Sequence, residues 1–93
     1  MLQYPIHLKT IQQFKKYASF TYKCPVTGYV KLEDTQINLS FLHELMCHCP
    51  IRQAELVLTG YRGEDVPAME AFLISAELID LSRFSPTNQN KIA

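Results

Sequence analysis

TIQQFKKYASFTYKCPVTGYVKL, residues 10–32, changes its hydrophobic period partway along, and that change sets the fold class. Thr10 and Gln13 have capping-box spacing, in which the threonine oxygen accepts from the backbone three residues on while glutamine reaches back. Ile11, Phe14, Tyr17 and Ala18 follow at helical spacing and leave Lys15 and Lys16 toward solvent. From Ser19 onward the period becomes two. Phe20, Tyr22 and Cys24 share one face, Pro25-Val26-Thr27-Gly28 has the composition of a turn, and Tyr29-Val30-Lys31-Leu32 returns. Proline presets φ at the second turn position and glycine supplies a left-handed residue. The stretch predicts a helix followed by a β-hairpin over about 19–32.

Toward the amino terminus, Leu2, Tyr4, Ile6 and Leu8 alternate with other residues as in a short strand. Pro5 cannot donate to a ladder, which favours an edge position or a simple extended lead-in over a central strand. Toward the carboxyl terminus, a helix is expected from about Leu39, capped by Asn38, to about His48, with Pro50 barring its continuation. Leu39, Leu42, Leu45, Met46 and Cys49 lie on one side of it; His43, Glu44, Cys47 and His48 occupy the other. Residues 51–59 admit two readings. Pro50 before them and Gly60 after them favour a helix, while Leu56-Val57-Leu58-Thr59 fits a buried strand; the helix is the preferred reading. Asp65 caps the last element, residues 66–84, which Ser85-Pro86 stops. The expectation is one α+β globular domain over residues 1–84: a short lead strand, a helix, a hairpin, then two or three helices with a central apolar one last. Residues 85–93 read as a polar, frayed tail.

Composition narrows the function. A chain of 93 residues with 47% hydrophobic and 19% charged content is globular and of single-domain size. No run approaches the roughly 18 apolar residues of a membrane span, and Met1-Leu2-Gln3-Tyr4-Pro5 lacks the basic and apolar blocks of a secretory signal. Three cysteines make a poor disulfide framework and suit a reducing compartment, so a cytoplasmic protein is expected. The net charge of zero hides a division: residues 1–32 hold five lysines and no acid, whereas residues 33–90 hold all nine acids against Arg52, Arg62 and Arg83.

Chemistry-bearing patterns are sparse. Cys24, Cys47 and Cys49 with His43 have the residue types of a zinc site, but on a regular helix Cys49 points away from His43 and Cys47, and Cys24 lacks a nearby second thiol. Buried thiols and surface histidines are the preferred reading, with no metal and no cofactor. A Cys47–His43 nucleophile pair has no identifiable orienting acid or oxyanion donor. Gly28, Gly60 and Gly63 sit at separate turns and form no phosphate loop. Glu33-Asp34 and Glu64-Asp65 precede helices, where acids complement the helix dipole. Nothing here supports an enzyme.

The final helix is the strongest pointer to a partner. Its apolar residues surround most of the circumference, with Glu70 and Glu77 marking a wet side. A surface helix of a small domain normally has one apolar stripe, and one that is apolar nearly all round needs cover on several sides. The cover is either the rest of the chain or a partner. The expected function is a non-enzymatic protein-binding module, homodimeric or a small regulator that inhibits by occluding a larger partner. The expected docking residues are Met69, Leu73, Ile74, Leu78 and Leu81, with Glu70 and Glu77 at the rim. The alternative is a single-stranded nucleic-acid binder using Lys15, Lys16, Lys23, Lys31, Tyr22 and Tyr29, because aromatics can stack bases while ammonium groups meet phosphate.

Overall fold

The computed structural model describes residues 2–84 and shows an α+β fold, a four-stranded antiparallel sheet with three helices. The lead strand β1, Leu2–Leu8, is followed by α1, Ile11–Lys23, then β2, Thr27–Lys31, and β3, Gln36–Asn38. Helix α2, Leu42–Cys47, leads into β4, Ile51–Gly60, and a 3-10 turn at Gly63–Asp65 opens α3, Val66–Ser75. The sheet order is β1-β4-β2-β3. Strands β1 and β2 both run antiparallel to β4 and therefore parallel to each other, so the β1-α1-β2 crossover straddles β4. The path from β3 through α2 to β4 straddles β2 in the same way.

Pro5 behaves as an edge residue. Its carbonyl accepts from Asp80 N at 2.8 Å, on the side away from β4, and that is also the side where its missing N–H would point. Residues 78–80 cover part of this edge: His7 N donates to the Leu78 carbonyl at 3.0 Å, and Ile6 forms an isolated bridge with Ile79. The capping box of α1 is formed. Gln13 N donates to Thr10 Oγ1 at 3.1 Å and Thr10 N donates to Gln13 Oε1 at 3.2 Å.

Helix α1 does not stop at Ala18. It continues to Lys23, so the first arm of the expected hairpin is helical. Phe14, Tyr17 and Phe20 are three apart and all enter the core, whereas Tyr22 is 92% exposed, which no core-facing strand position would be. Pro25 sets the end, because the residue before a proline is pushed out of the helical region; Cys24 is extended, with φ −100° and ψ 127°. The hairpin lies one segment later. Strand β2 pairs with β3 through Val30–Ile37, and Leu32 N closes the turn on the Thr35 carbonyl at 2.8 Å. Gly28 belongs to β2 beside a bulge and not to a turn; a Cβ there would overlap the Val57 carbonyl oxygen.

The preferred helix over 51–59 is corrected to the central strand β4. Ala54, Leu56 and Leu58 alternate toward the helices, and Val57 is buried on the opposite face between its partners Gln3 and Tyr29. Burial on both faces produces the continuous apolar run that periodicity cannot separate from a helix. Helix α2 is shorter than expected, and Asn38 caps a turn in front of it: its Oδ1 accepts from Ser40 N and Ser40 Oγ at 2.9 and 2.8 Å.

Helix α3 ends at Ser75 and not at Phe84. The stop is a Schellman motif: Glu77 N donates to the Ile74 carbonyl and Leu78 N to the Leu73 carbonyl, both at 3.0 Å. The left-handed position is Glu77, at φ 61°, where glycine is usual. Leu73 and Leu78, brought together by the motif, are both fully buried. The expected stop at Ser85-Pro86 and the frayed tail lie outside the described residues.

Candidate docking surface

The core lies on one face of the sheet. Tyr4, Ile6, Val30, Leu56 and Leu58 meet Phe14, Tyr17 and Phe20 of α1 and Met69 and Leu73 of α3 there. Tyr17 Oη donates to the Leu39 carbonyl, which ties α1 to the turn before α2. Burial holds the Tyr17 phenol well above its ordinary titration range; burial and the Glu70 carboxylate do the same for Tyr4.

The expected docking residues divide. Met69, Leu73 and Leu78 are core residues, because the helix is one layer of a two-layer domain and its inner side is already covered by the sheet and α1. Ile74 is 39% exposed, and Leu81, in the turn after the helix, is 63% exposed. Glu77 is exposed. Glu70 is half-buried, and its carboxylate accepts from Tyr4 Oη at 2.9 Å.

Helix α3 has ten residues, VPAMEAFLIS, and Glu70 is its only charged one. With that charge engaged by Tyr4, the solvent side carries Pro67, Ala68, Ala71, Ile74 and Ser75, all exposed. This face is apolar and built largely of small side chains. Beside it, where α3 meets the end of α1, an open groove of about 240 Å³ is lined by Phe20, Cys24, Pro25, Ala68, Met69 and Phe72, with Lys23 and Asp65 as its charged members. Phe20 and Phe72, both lining it, stack at 6.4 Å with an interplanar angle of 16°. The Cys24 thiol titrates above its ordinary value through burial first and the Asp65 carboxylate second, against the opposing pull of Lys23. It is a protonated, apolar lining group at neutral pH. Sequence reasoning missed this groove because it placed Phe20 on a strand.

The six residues of the nucleic-acid alternative do not converge. Lys15, Lys16, Tyr22 and Lys23 are exposed on α1. Tyr29 and Lys31 pair with Val57 and Glu55, on the sheet face opposite the one α1 covers. The cysteines are all free. Cys49 Sγ donates to the Leu45 carbonyl at 3.5 Å, Cys47 is exposed, and among the described residues no three His, Cys, Asp or Glu side chains stand close enough to hold a metal ion. No helix among the described residues is long and apolar enough to cross a membrane. Comparison with known proteins finds no match among family models, curated proteins or solved structures.

Proposed function

We propose that this protein is a non-enzymatic protein-binding module whose docking surface is the outer face of α3, and that the surface receives a second copy of the chain. One observation carries the reading: the only charge on α3 is bonded inward to Tyr4, leaving Pro67, Ala68, Ala71 and Ile74 exposed with no charge among them. Such a face is self-complementary. If two copies of α3 cross antiparallel about a two-fold axis at Ala71, the Ile74 side chain of each lies over Ala68 of the other. Small residues at the crossing let the helix axes approach to about 8 Å. The crossing itself, at Ala68, Ala71 and Ile74, buries no charge, so no desolvation penalty of that kind opposes association there. The Phe20–Phe72 groove at the flank offers further apolar surface.

Sedimentation equilibrium tests the reading. The wild-type chain is expected to dimerise with an affinity that salt does not weaken. Ala71→Glu puts a charge at the crossing point and should raise the dimer Kd at least ~100-fold while circular dichroism stays unchanged, since an isolated buried carboxylate costs several kcal/mol. A wild-type chain that remains monomeric at high concentration, or an Ala71→Glu dimer as tight as the wild type, overturns the proposal.

A further inference from the structure

The solvent face of α1 has a different character from that of α3, and only its last residue, Lys23, reaches the groove beside the docking face. None of the thirteen residues of α1 is acidic. Gln12, Lys15, Lys16, Ser19, Tyr22 and Lys23 recur at helical spacing along one side, opposite the buried Phe14, Tyr17 and Phe20. The four ion pairs among the described residues all use Arg62 or Arg83, so none of these lysines has an acidic partner within that network. Tyr22 is 92% exposed, with its ring uncovered beside Lys23. Lys23 lies eight positions after Lys15, a helical rise of about 12 Å.

We infer that this face of α1 binds single-stranded nucleic acid, with Lys15, Lys16 and Lys23 meeting phosphates and Tyr22 stacking on a base. Charge complementarity sets the sign of the partner. The uncovered aromatic selects among polyanions, because a base offers a π-face that an acidic peptide lacks. An anionic membrane is a poorer fit, since the apolar side of α1 is committed to the core and cannot insert. Asp65 shares a groove with Lys23, so Lys15 and Lys16 carry the larger part of the attraction. Tyr29 and Lys31, on the far face of the sheet, take no part.

Fluorescence anisotropy with a labelled oligothymidylate of about 15 nucleotides tests this, and the salt dependence is its sharpest readout. Three phosphate contacts on a single strand give a slope of log K against log salt of about −2, or roughly 20-fold weaker binding between about 50 and 200 mM salt. Lys15→Ala with Lys16→Ala should reduce that slope to about −0.7. Tyr22→Ala should weaken binding about fivefold or more at every salt concentration without changing the slope, and Tyr22→Phe should restore it. The same pattern is expected in the Ala71→Glu background, which separates this inference from the docking proposal. Circular dichroism checks that each variant folds. No binding at about 50 mM salt, a slope unchanged by the lysine substitutions, a Tyr22→Ala variant equal to the wild type, or polyglutamate bound as tightly as the oligonucleotide would each overturn it.

Discussion

Replacing Glu77 with Gly should stabilise the protein, although glycine ordinarily weakens a fold. Glu77 is the C′ residue of the Schellman motif that ends α3, at φ 61°. A Cβ in the left-handed region costs roughly 1–2 kcal/mol, which glycine avoids. Against this, glycine gives the unfolded chain more freedom, worth about 0.5–1 kcal/mol. Removing a carboxylate just past a helix C-terminus returns a further few tenths of a kcal/mol, because that end carries partial negative charge. The backbone role of the residue survives the change: its carbonyl still accepts from His7 Nε2 at 3.0 Å and from Gln13 Nε2 at 2.8 Å. The net expectation is a gain of about 1 kcal/mol, or some 4–8 °C in Tm for a domain of this size. Glu77→Ala separates the contributions. It removes the charge but keeps the Cβ, so it should gain only about 0.3–0.5 kcal/mol. Urea denaturation of the three proteins, followed by circular dichroism, measures both steps. A Glu77→Gly variant no more stable than Glu77→Ala would show that strain at the left-handed position does not exceed glycine's unfolded-state cost and refute the reasoning.

Other expectations rest on single contacts. Gly28→Ala should destabilise by about 2 kcal/mol or more, because its Cβ would press on the Val57 carbonyl and force β2 from β4; thermal unfolding checks this. The Asp80 carboxyl is held down to about 2 by the Ser82 hydroxyl first and the Arg83 guanidinium next. Its stabilising effect is therefore fully present above the ordinary carboxyl pKa near 4 and is lost as pH falls through about 2, and Arg83→Ala should move its NMR titration midpoint upward. Chelator should leave the melting temperature unchanged, since the three free cysteines and their histidine neighbours do not gather at one point.

The parts of the fold that were legible in the sequence are those written by local chemistry. Thr10 and Gln13 announced the start of α1, and Pro5 the edge of the sheet, because a capping box and a missing N–H act within a few residues. The end of α1 was harder to read. Phe20 satisfies the helical spacing from Tyr17 and the alternation with Tyr22 and Cys24 equally well, and only burial separates them. Strand β4 was hidden by its central place, where Val57 is covered on the face that an outer strand would turn to water. The end of α3 was hidden by Glu77, which occupies a position that glycine would have signalled. The proposed docking face was half legible. The apolar circumference of residues 66–75 was visible, but which side the core would claim depended on a layer order that no local pattern encodes. Met69 and Leu73 went inward, and Ala68 and Ala71 stayed out.

The central claim, that α3 meets α3 of a second copy, is tested most directly by oxidative cross-linking of an Ala71→Cys variant. Cys47, the exposed native thiol, is first changed to Ser; Cys24 and Cys49 are partly buried, and burial raises the pKa of both. A disulfide forms only when the two Cα atoms come within about 7 Å, a distance the proposed crossing meets at Ala71 and at few other surface positions. The account predicts that Ala71→Cys chains convert to a covalent dimer under mild oxidation, much faster than a control cysteine at Gln36 on the edge strand β3. Cross-linking at Ala71 no faster than at Gln36 would contradict it.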